Sequence, residues 1–79
     1  MRLHQYLKSR RIDKDLMSFE VAKRLGISRE EYMRIESGLA LPSRFQFERL
    51  IDILDMDESI YIKVLKEEIA FRHKHTQIG

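Results

Sequence analysis

The stretch SFEVAKRLGISREEYMRIESG, Ser18–Gly38, decides how this chain folds. Val21, Ala22 and Leu25 recur at helical spacing before Gly26, and Tyr32 and Ile35 do so after it. Ser18 can cap the first of these helices, and Gly26 can take the positive φ that turns the chain out of it. Ile27 then plugs the corner. Ser28, with Glu31 three residues on, is an S-x-x-E capping box, which satisfies two orphan amide donors at a helix start. Ala22 is small where a second helix has to cross close to it. The spacing predicts helix, tight turn, helix, from about residue 18 to 37, with the axes crossing at a sharp angle.

Outward from this pair, Leu3, Tyr6 and Leu7 fall at i, i+3 and i+4 and predict a first helix over about 2–11. Gly38 and Pro42 bound a loop, after which Ser43 caps a fourth helix. Its stripe is Phe47, Leu50, Ile51 and Leu54, widened by Phe45 and Ile53. Asp57 or Ser59 can start a fifth, over about 57–75, striped by Tyr61, Val64, Leu65 and Ile69. The expectation is an all-α, compact, five-helix single domain spanning 1–79.

Composition narrows the function classes. With 79 residues there is room for one core, which 43 % hydrophobic content can fill. Cysteine is absent, so no disulfide or thiolate metal site can hold the fold. Of the three histidines, His4 stands apart and His73-x-His75 lacks a third ligand, so no metal or other cofactor is expected. No Ser-His-Asp order, phosphate-cradling loop or paired carboxylates can be assembled, which argues against an enzyme. Phe45, Phe47 and Tyr61 sit among Leu and Ile at helical spacing and read as core, not as base-stacking platforms. Asp52, Asp55, Asp57 and Glu58 lack calcium-loop spacing and read as caps and dipole partners. No apolar run approaches the roughly 18 residues a membrane span requires, and MRLHQYLKSRR carries charge where a secretory signal needs an apolar stretch. A cytoplasmic location without membrane contact is expected. The net charge is +2, with Arg2, Lys8, Arg10, Arg11 and Lys14 set against Asp13 alone in the first fourteen residues. That bias permits a nucleic-acid partner without requiring one.

The pattern A-x-x-x-G-I-S, then I-E-x-G, then P-S and a helix ending in Leu is carried by Ala22, Gly26, Ile27, Ser28, Ile35, Glu36, Gly38, Pro42, Ser43 and Leu54. Over about residues 3–56 it resembles the Cro and phage-repressor type (XRE) helix-turn-helix proteins. The resemblance implies a lambda-repressor-like fold and a sequence-specific regulator of transcription that binds double-stranded DNA. It also implies that the helix from Ser28 enters the major groove, with Arg29, Glu30, Met33 and Arg34 at base edges or flanking phosphates and Ser18, Ser28 and Arg44 at the backbone. Arg29 leads as a base reader, since an arginine fork fits a guanine's O6 and N7. Lys14, Lys23, Arg24 and Arg49 could add phosphate contacts. Glu36 matches an acidic residue that in the family pairs with an arginine of the first helix, here Arg10 or Arg11.

Two departures stand out. The family commonly has Gln in place of Ser18 and short neutral residues in place of Glu30 and Glu31. The element meant to approach a polyanion therefore holds Arg29 and Arg34 against Glu30, Glu31 and Glu36. The capping box can engage Glu31, and a carboxylate can accept from cytosine N4, so the acidic side chains are compatible with base reading. In the fifth helix the core stripe leaves Ile60, Ile62 and Phe71 unused, which suggests a homodimer on a palindromic operator. Similar small proteins are repressors or autoregulating antitoxins, the latter with a toxin as protein partner. The alternative is a protein-interaction module that keeps the helix-turn-helix core without binding DNA.

Overall fold

The computed structural model describes residues 2–57 together with 59, 62, 63, 66, 67, 69 and 70. Four helices are delimited among them: α1 (Leu3–Asp13), α2 (Ser18–Leu25), α3 (Arg29–Glu36) and α4 (Arg44–Ile53). The expected count was five. At the fifth, residues 59, 62, 63, 66, 67, 69 and 70 are helical, while Ile60, Tyr61, Val64, Leu65, Phe71, His73 and His75 lie outside the described residues. Asp57 Oδ1 accepts from the Ser59 amide at 2.9 Å, the role expected of it at a helix start. No helix among the described residues is long and apolar enough to cross a membrane.

The helices begin where side chains can satisfy free amides, though not always where the serines suggested. Ser18 is the first residue of α2, not its cap. The cap position belongs to Met17, whose N–H donates to Glu20 Oε1 at 3.0 Å. Ser28 does cap α3, its Oγ accepting from the Glu31 amide at 3.1 Å, but the reciprocal bond from the Glu31 carboxylate is not made. A complete reciprocal box forms instead at α4. There Ser43 Oγ accepts from Gln46 N at 3.1 Å and Gln46 Oε1 accepts from Ser43 N at 2.9 Å.

All four helices end the same way. An amide just beyond the cap reaches back five positions: Leu16 to Arg11 O, Ile27 to Ala22 O, Leu39 to Arg34 O and Met56 to Ile51 O, at 2.9–3.1 Å. These are Schellman motifs, and each needs a left-handed residue just before the apolar one. Gly26 (φ 81°) and Gly38 (φ 84°) supply it without strain; Asp15 (φ 56°) and Asp55 (φ 51°) supply it despite a Cβ. At Gly38 a Cβ would also stand 3.0 Å from the His4 ring, so α3 ends in contact with α1.

The core joins Leu3 and Leu7 of α1, Val21, Ala22 and Leu25 of α2, Tyr32 and Ile35 of α3, Phe47 and Leu50 of α4, and Leu54 and Met56 beyond it. Tyr6, Ile27, Ile51 and Ile53 pack on its edge. Phe45 was expected to widen this stripe and does not. It sits one residue inside α4 on the side away from the core and is 68 % exposed. Ile69, expected in the fifth helix's inner stripe, is exposed as well.

Candidate nucleic-acid interface

The α2–α3 pair is positioned from within. Ala22 is buried, which leaves room for α3 to cross, and Gly26 and Ile27 both donate to its carbonyl, at 2.9 and 3.1 Å. Tyr32 and Ile35 hold α3 down on α1 and α2.

The orientation of α3 is locked further by one ion pair. Arg11 Nε lies 2.8 Å from Glu36 Oε2 and its Nη2 2.8 Å from Oε1, while Nη1 donates to Leu16 O at 2.8 Å. The side chains are 16 % and 11 % exposed. Of the two arginines expected to meet Glu36, it is thus Arg11 that does. The hydrogen bonds it donates to Glu36 hold the guanidinium above its ordinary pKa against the cost of burial, so it is charged at any working pH. The Tyr32 hydroxyl is buried beside the pair with no hydrogen-bond partner of its own. Burial, with the neighbouring Glu36 carboxylate, pushes this phenol well above its usual range.

Arg10 serves another joint. Its Nη2 donates to the carbonyls of Leu54 and Asp55 at 3.1 and 3.2 Å, tying α1 to the end of α4. Lys14 leans toward Asp55 at 3.8 Å. Arg49 donates to Arg24 O at 2.8 Å, closing the end of α2. The guanidinium of Arg49 and, more loosely, the Lys14 ammonium thus each have a partner within the chain. The side chains of Lys23 and Arg24 are exposed on α2 and make no ion pair among the described residues.

The outward side chains of α3 stand apart from this internal network. Arg29, Glu30, Glu31, Met33 and Arg34 are all exposed, and its four charged members form no ion pair among the described residues. Ser18 and Met33 line one cleft of about 270 Å³ between α1, α2 and α3. Lys8, Arg11, Glu36 and Ser37 complete it. A second, of about 190 Å³, brings Arg34 and Glu31 beside Leu41 and Gln46 at the start of α4. Arg44 lies outside both clefts, paired at 3.5 Å with Glu48 on an open surface. Ser28 has its oxygen engaged as the cap of α3.

Lys8 and Ser37 were not singled out by sequence. The signal was there for Lys8, which stands one turn before Arg11 and so shares its face of α1. Ile62, expected as a contact between subunits, is 51 % exposed. Among the described residues no cluster of His, Cys, Asp and Glu could hold a metal.

No curated protein and no solved structure matches the chain. A family model described as "Helix-turn-helix domain" matches residues 2–59, the span that runs from the cap of α1 through the end of α4 and holds both clefts. The chain belongs to that helix-turn-helix family.

Proposed function

We propose that this protein is a sequence-specific DNA-binding regulator of transcription, of the XRE type, acting as a repressor or an autoregulating antitoxin. The observation that carries the reading is the contrast within one small surface. Most cations that hold helices together are paired, whereas α3 directs Arg29, Glu30, Met33 and Arg34 outward with no partner inside the fold. Family membership over residues 2–59 supports the same reading.

In it, α3 enters the major groove and Arg29 and Arg34 meet guanine edges or phosphates. Ser28 at the start of α3, Ser18 at the start of α2 and Arg44 at the start of α4 approach the backbone. A homodimer through Ile60, Ile62 and Phe71 places two copies of α3 about 34 Å apart on a palindromic operator. The second reading, a protein-interaction module, is favoured by the unpaired Glu30 and Glu31 and by the exposed Ile62 and Ile69.

The test is binding of the purified protein to the DNA upstream of its own gene against random duplex across a salt series. A selective complex whose log K falls linearly with log salt is expected. Absence of binding at low salt removes the DNA reading and leaves the protein module.

A further inference from the structure

The buried seam of α3 is Tyr32 and Ile35. At roughly 100° per residue, the direction opposite that seam falls on Glu30 and Ser37, with Met33 and Arg34 about 50° to either side. Arg29 and Glu31 lie about a quarter-turn from that direction, on the flanks. A surface that approaches α3 from opposite its buried seam therefore has Glu30 at its centre, with Arg34 and Arg29 to the sides. Glu30 is exposed, and although Arg34 stands four residues on, at ion-pairing distance in sequence, the two are not paired.

From this placement we infer that Glu30 is a specificity-determining residue that accepts a hydrogen bond from the N4 amino group of a cytosine, so that each operator half-site carries an obligatory C·G pair. The inference rests on the DNA-binding reading above. An ionised carboxylate can only accept, and next to phosphates it is repelled unless a donor meets it. Only two base-edge donors are presented in the major groove, cytosine N4 and adenine N6. Adenine sets its N7 lone pair beside N6, where it opposes the second carboxylate oxygen, whereas cytosine offers a C–H at the corresponding edge. Glu30 thus weakens binding to every sequence that lacks the cytosine, while the flanking Arg29 and Arg34 supply attraction to guanine edges or phosphates.

The experiment is selection from a duplex library of randomised sequence by the full chain, run in parallel with Glu30→Ala and Glu30→Gln, helicity being checked for all three. The wild type is expected to enrich sites with a fixed C·G pair. Glu30→Ala should lose the preference at that position alone, by roughly tenfold or more, and bind random duplex more tightly. Glu30→Gln should move that position toward A·T, since an amide can accept from N6 and donate to N7 together. A wild-type consensus that neither variant alters at any position overturns the inference. So does an altered position that carries a base other than cytosine in the wild-type consensus. A wild type that enriches no sequence at all is a separate failure, visible before any variant is compared, and it overturns the DNA-binding reading itself.

Discussion

Replacing Arg11 by Met removes the joint between α1 and α3 while keeping a long, linear side chain in the gap. The guanidinium makes two 2.8 Å contacts to Glu36, a third at 3.1 Å and a fourth bond to Leu16 O. What remains is a carboxylate 11 % exposed beside the unpartnered Tyr32 hydroxyl, and a carbonyl without its donor. Breaking a fully buried pair costs about 3–5 kcal/mol, and the residual solvent access here puts the cost at about 2–3 kcal/mol. For a domain of this size each kcal/mol lowers Tm by roughly 4–8 °C, so a fall of about 10–20 °C is expected. The double variant Arg11→Met with Glu36→Met strands no charge and should lie well above the sum of the two single losses. Thermal unfolding followed by circular dichroism, on all four proteins of the cycle, measures this coupling. Single losses below about 0.5 kcal/mol, typical of an exposed ion pair, with an additive double variant, would refute the claim that the pair locks α3.

Two further outcomes follow from single residues. Tyr32 is held neutral by burial and by Glu36, so its folded pKa stands above the unfolded value of about 10. The neutral phenol's contribution is fully present below pH 10 and is lost above it, by about 1.4 kcal/mol per pH unit, as the unfolded chain ionises and the folded one does not. Tyr32→Phe should abolish that alkaline loss and, because the hydroxyl has no hydrogen-bond partner, leave stability at pH 7 unchanged or higher. Denaturant melts between pH 7 and 11 measure both, and a variant less stable at pH 7 with the alkaline loss intact contradicts the assignment. At the end of α1, Asp15→Gly should raise stability by about 1 kcal/mol, since Asp15 holds φ 56° and puts a negative charge at the negative end of a helix dipole. A lower denaturation midpoint would show that Asp15 is held by contacts the backbone argument omits.

The helix-turn-helix was legible in sequence because its signals are local. A glycine that must turn the chain, a small residue four positions before it and an apolar plug directly after are each fixed by one short-range requirement. They landed on Gly26, Ala22 and Ile27 as expected. What went unread was also local, but written in an unfamiliar residue. Asp15-Leu16 and Asp55-Met56 play the same part as Gly26-Ile27 and Gly38-Leu39, yet an aspartate in the left-handed region resembles any other surface acid in sequence. The cap of α2 was misplaced for a similar reason: Glu20 satisfies the backbone amide of Met17, and no side-chain oxygen at the cap position advertises it. Phe45 was assigned to the core by residue type. At roughly 100° per residue it stands about 160° round α4 from Phe47 and about 140° from Leu50, so the spacing itself turns it away from the core.

The candidate interface was legible as a set of exposed positions and illegible as a balance of charge. Lys14 and Arg49, read from sequence as phosphate contacts, also reach the ends of α4 and α2, where helix C-termini attract cations. Once those are assigned, the exposed cations without an ion pair between residues 3 and 57 are Lys8, Lys23, Arg24, Arg29 and Arg34. In the proposed DNA-binding reading, the number of these side chains that reach phosphates sets the salt slope. In that reading the acidic side chain of Glu30 takes from non-specific affinity, and a second copy of α3 on the same duplex would restore it, so that the acidic face and the proposed dimer are two parts of one requirement. On the proposed operator, an acidic residue at the centre of the face would lower binding everywhere except at the right sequence, and doubling the face would restore affinity only where both half-sites are right.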